Sequence, residues 1–62
     1  MNKDIVEGNW HVAKGKIKSR FAKLTDQELD QVDGDYEQLC GRIQKAYGLT
    51  REQAEYDIAR LN

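Results

Sequence analysis

Sixty-two residues with a formal net charge of −1 and 34% charged side chains fit one small domain, and that balance excludes a strongly basic nucleic-acid protein or an acidic tail. A chain this short buries only about 60% of the surface its unfolded form exposes, so a hydrophobic fraction of 39% supports one core of marginal stability. The single cysteine, Cys40, excludes an internal disulfide. No apolar run approaches the ~20 residues of a membrane span, and the start MNKDIVEGNW lacks the apolar segment of a secretory signal, so a cytoplasmic protein without membrane contact is expected.

The charge is unevenly placed. Residues 1–24 hold six Lys or Arg against two acids, residues 25–40 hold six acids and no base, and residues 41–62 hold four bases against three acids. Faces that attract one another in the fold are the simpler account; an anionic partner for the basic third is the other.

From Ile5 to Leu24 the apolar residues Val6, Trp10, Ala13, Ile17, Phe21 and Leu24 recur in steps of three and four, which is one stripe of an amphipathic helix. Gly8 and Gly15 each weaken it by roughly 1 kcal/mol relative to alanine, so its first half is expected to break or to start late. Whether residues 1–8 are ordered stays open. Gly8, Val12, Gly15, Ser19 and Ala22 line the opposite side. With Gly41 matching Gly15 in the repeat described below, close approach of another segment's backbone is the favoured reading of that small-residue stripe.

Thr25 and Glu28 form a capping-box pattern that starts a second helix, with Leu29 and Val32 inward and Gly34 as a left-handed stop. Asp35 is an N-cap for a third helix whose stripe is Tyr36, Leu39, Cys40, Ile43, Ala46 and Tyr47, ended by Gly48. Thr50 and Gln53 repeat the capping box, after which Ala54, Ile58 and Leu61 face inward, Tyr56 points elsewhere, and Arg51 pairs with Glu55. The expected core is Trp10, Ile17, Phe21, Leu24, Leu29, Tyr36, Leu39, Ile43, Tyr47 and Ile58.

Sliding the chain by 26 residues places Trp10 on Tyr36, Gly15 on Gly41, Lys16 on Arg42, Ile17 on Ile43 and Phe21 on Tyr47; deleting one residue puts Leu24-Thr25 on Leu49-Thr50. The expectation is therefore a single all-α domain over 1–62. Its four short helices form two crossed hairpins with approximate internal duplication, the halves being about 10–34 and 35–62.

Little here points to chemistry. His11 is the only histidine, one turn after Glu7, and Ser19, the only serine, lies two turns away on the same helix, so no nucleophile-and-base motif is present. Before Gly34 stand Asp33, Gln31 and Leu29, which fails the calcium-loop pattern. No phosphate-loop or dinucleotide motif occurs, so neither enzyme, metal nor cofactor is expected. The remaining candidates are Lys14, Lys16 and Lys18, cations that could meet an anion or a partner, although they straddle the helix rather than forming one ridge.

Taken together, Asn2-Lys3, Gly8-Asn9-Trp10, Lys14-Gly15-Lys16-Ile17-Lys18, Lys23-Leu24-Thr25-Asp26, Gly34, Gln38-Leu39, Gly41-Arg42-Ile43-Gln44 and Tyr47-Gly48 resemble the CsbD-like family of small bacterial proteins associated with general stress responses. The resemblance spans the whole chain. It implies an all-helical, SAM-domain-like fold and a non-enzymatic stress-response role without a known mechanism. The chain departs from the family pattern at Asp35, where many relatives carry a basic residue. Two other roles stand beside it: a nucleic-acid-binding module using Lys14 to Lys18, and a protein-contact or self-association module. The partner is open between protein and nucleic acid, and the oligomeric state between monomer and weak homo-oligomer.

Overall fold

The computed structural model describes residues 1–61. All regular structure among them is helical, in five segments: α1 (Lys3–Gly8), α2 (Trp10–Arg20), α3 (Asp26–Val32), α4 (Tyr36–Tyr47) and α5 (Arg51–Ala59). The all-α expectation holds, but the count of four becomes five. The stripe from Val6 to Leu24 is broken at Asn9, whose backbone at φ −142°, ψ 63° cannot continue a helix. Residues before the break form a capped helix of their own, because the Asn2 side chain accepts the Ile5 amide.

Both capping boxes close: Thr25 accepts from the Glu28 amide and Thr50 from the Gln53 amide, with Glu28 and Gln53 accepting in return. Asp35 caps α4 by accepting the Gln38 amide. The α3–α4 turn takes two left-handed residues, Asp33 at φ 45° and Gly34 at φ 86°. Gly34 is also where backbones approach closely, since a Cβ there would stand 3.4 Å from the Val6 carbonyl oxygen and 3.5 Å from the Trp10 Cβ.

The glycines thought to admit such an approach do not. A Cβ on Gly8, Gly15 or Gly41 would meet nothing within 4 Å, and Val12, Ser19 and Ala22 are exposed. The small-residue side of α2 is open surface, because the neighbouring helices pack on its other side, through Ala13 and Ile17.

Helix α4 is the hub, touching α1, α3 and α5, while α1 also folds onto α2. Ile17, Phe21, Leu24, Leu29, Leu39, Ile43 and Ile58 are fully buried beside Val6, Ala13, Cys40 and Ala54, and Tyr36 is nearly so. Trp10 and Tyr47 are corrected from core residues to half-buried ones that lean against it, while Tyr56 is exposed as expected. Phe21 and Tyr47 meet edge to face, ring centroids 5.6 Å apart, in the geometry that aromatic quadrupoles favour.

Candidate functional site

The charged residues singled out on α2 divide between two flanks. Residues four apart on a helix share a face, so Lys14 and Lys18 emerge together, over α3. The Lys14 Nζ donates to Asp30 Oδ1 at 2.6 Å, and the Lys18 Nζ donates to the Leu24 carbonyl at 2.6 Å with Asp26 at 3.8 Å. Lys16 lies on the other flank with no ion-pair partner among the described residues. The three lysines are therefore not brought together.

The same arrangement recurs around the acidic third of the chain. Arg42 of α4 reaches Glu28 at 3.5 Å and donates to Gln31 at 3.0 Å, and Arg51 of α5 grips Glu37. Each carboxylate of this set thus takes its countercharge from a different helix, which is why the acidic and basic stretches are separated in sequence. The shifted groups follow from these contacts. Asp30 holds the Lys14 ammonium above its usual pKa, the Thr25 amide and Arg42 hold Glu28 below the usual carboxylate range, and Arg51 does the same to Glu37.

Tyr36 and Cys40 are the perturbed groups in the interior. Burial, followed by the adjacent Cys40, pushes the Tyr36 hydroxyl up to about 12, and burial pushes the Cys40 thiol up as well. Both stay protonated at neutral pH, so Cys40 serves as a small apolar filler. His11 is exposed on α2. Among the described residues no group of three or more His, Cys, Asp or Glu is placed to hold a metal ion, and no helix is long and apolar enough to cross a membrane.

The surface carries an open hollow along α5, lined by Leu49, Glu52, Gln53, Tyr56 and Asp57. Its two carboxylates differ: Asp57 is engaged by Arg20 at 3.5 Å, while Glu52 has no ion-pair partner among the described residues. Sequence reasoning did not single out this hollow, because no local pattern pairs Asp57 of α5 with Arg20 at the end of α2.

With that geometry in place, kinship is decided by comparison. The profile of the CsbD-like family matches residues 4–56. The chain belongs to the CsbD-like family. Relatives include UPF0337 protein ECA0631 of Pectobacterium atrosepticum, 48% identical over 58 residues that cover 94% of this chain and 84% of that one. UPF0337 protein pc0632 of Protochlamydia amoebophila is 47% identical over 55 residues, 89% of this chain and 83% of its own. UPF0337 protein YjbJ of Escherichia coli K12 is 45% identical over 58 residues, 94% and 84% respectively. No solved structure matches the chain. The relatives named here are bacterial proteins, and membership of the family assigns no catalytic residue.

Proposed function

We propose that this CsbD-like chain is a small, non-enzymatic, cytoplasmic stress-response protein that acts through protein contact or abundance rather than through chemistry. The observation that supports this reading most is where the ion pairs fall. They join α2 to α3, α3 to α4, α4 to α5 and α2 to α5. Lys14, Glu28, Glu37 and Arg51, the surface groups with shifted pKa, all belong to those pairs. Perturbed groups mark active sites when they converge in a cleft, and structural ion-pair networks shift them equally well. Here they lie on separate helix contacts. Nucleic-acid binding through Lys14, Lys16 and Lys18 is the weaker reading, since two of the three already face carboxylates.

The test is a two-dimensional amide NMR titration with ATP, GTP, NAD and a short single-stranded oligonucleotide. No saturable, localised shift is expected. A saturable shift with Kd below about 1 mM around His11 or the α5 hollow overturns the reading in favour of a small-molecule site, and one centred on Lys14 to Lys18 overturns it in favour of nucleic acid.

A further inference from the structure

Among the described residues five cations make no ion pair, Lys3, Lys16, Lys23, Lys45 and Arg60, and five carboxylates make none, Asp4, Glu7, Asp33, Asp35 and Glu52. Five of these ten are sorted by position, whereas Lys3 lies near Glu37 in the first turn of α4. Gly34 packs against the Val6 and Glu7 carbonyls and Trp10, which brings its neighbours Asp33 and Asp35 to the end of α1, beside Glu7. At the opposite end of the molecule Phe21 meets Tyr47, the Lys23 ammonium lies 5.0 Å from the Tyr47 ring centroid, and Lys45 is in the last turn of α4. Both α2 and α4 therefore start at a carboxylate end and finish at a cationic end. At 1.5 Å per residue their 11 and 12 residues separate the ends by roughly 17 Å, about twice the screening length at physiological salt.

Part of this polarity is explained within the molecule. Asp35 caps α4 and Lys45 suits its C-terminal end. The others are not so explained. Glu7 is in the last turn of α1 and Asp33 is the C-cap of α3, where a carboxylate opposes the negative end of the helix dipole. Asparagine would serve the left-handed turn at Asp33 as well, without the charge.

We propose that the two ends are complementary halves of one interface. The Glu7, Asp33 and Asp35 end of one copy docks on the Lys23 and Lys45 end of the next. This rests on the protein-contact reading above and names the partner as a second copy. The contact is heterologous, so it propagates head to tail instead of closing as a symmetric dimer, and it is salt-sensitive because the groups are exposed. A nucleic-acid backbone would engage only the cationic end and leave the misplaced carboxylates of Glu7 and Asp33 without a role.

The experiment is sedimentation velocity with NMR diffusion on the full chain and two charge-reversed variants, Glu7→Lys with Asp33→Lys, and Lys23→Glu with Lys45→Glu. In about 20 mM salt, where screening is weak, the apparent mass of the wild type rises with concentration up to about 1 mM protein, and it returns to that of a monomer at about 300 mM salt. Each variant alone stays monomeric, and an equimolar mixture of the two associates. Circular dichroism verifies folding, and the neutral variant Glu7→Gln with Asp33→Asn, which weakens association of an intact fold, replaces any reversal that unfolds. A wild type that stays monomeric in low salt overturns the proposal, as does association surviving in either reversed variant alone or a mixture that fails to associate. Oligonucleotide binding lost in Lys23→Glu with Lys45→Glu, without self-association, overturns it in favour of nucleic acid. A monomeric wild type leaves the contact reading standing with another protein as partner, whereas that reading itself falls only to the ligand titration.

Discussion

The Arg51 guanidinium closes on the Glu37 carboxylate through two hydrogen bonds, of 2.8 and 3.0 Å, although 14 positions separate them. The first residue of α5 thereby reaches the first turn of α4 and fixes how the two helices cross. Arg51 also donates to Glu55 at 2.7 Å and lies 5.8 Å from the Tyr36 ring centroid, so one side chain ties the start of α5 to its own next turn and to the aromatic edge of the core.

Because Arg51 holds Glu37 below its usual pKa, the pair stabilises the fold in full above the unfolded carboxylate's pKa and loses that contribution as pH falls through the folded value. Replacing Glu37 by Gln is expected to lower stability at pH 7 and to leave it nearly unchanged at pH 2. Urea unfolding of the two proteins across that interval measures the closing gap. A constant difference would mean that the carboxylate charge is not what the pair supplies.

The glycines separate into two kinds with opposite consequences. Gly15 and Gly41 lie inside helices with open space where a Cβ would go, so alanine at either is expected to stabilise by about 0.5–1 kcal/mol. Gly34, at φ 86° with the Val6 carbonyl and Trp10 Cβ against it, is expected to lose at least about 1 kcal/mol on the same change. Thermal unfolding of the three single variants gives the signs directly.

These residues also show what was legible in advance. Thr25, Asp35, Thr50, Gly34 and Gly48 punctuate α3, α4 and α5 where their types require, since caps and left-handed stops act within four residues of the chain. Arg51 with Glu55 is legible for the same reason. The pairs Lys14 with Asp30 and Arg51 with Glu37 span 16 and 14 positions and depend on helix crossings that no local pattern encodes. The repeat misled at Gly15: a glycine that recurs at matching positions suggests a shared packing reason, and the open space around both copies shows none. The break that Gly8 led one to expect falls at Asn9; that it would leave a separate capped helix was not legible, because Val6 and Trp10, four apart, keep the apolar stripe in register across it.

The two capping boxes are independent local devices at the starts of α3 and α5. Thr25→Ala and Thr50→Ala are each expected to cost about 1 kcal/mol, and the double variant close to their sum, because the pair shares no partner. In a 62-residue domain such a loss is a large share of total stability. Equilibrium urea unfolding of the set decides the point; strong non-additivity would reveal coupling between the helix starts through α4.

Tyr36 gives the alkaline limit of the fold. Its hydroxyl is kept neutral by burial to about 12, against an ordinary value of 10.0. Between those values the unfolded chain has released the proton while the folded chain keeps it, so stability is fully present below pH 10 and falls as pH rises toward 12. The slope from one such proton is at most about 1.4 kcal/mol per pH unit. Tyr36→Phe is expected to flatten the fall in stability above pH 10, read by urea titrations from pH 8 to 11.5 with tyrosinate absorbance followed in parallel; an undiminished fall in the variant would show that another group sets the limit.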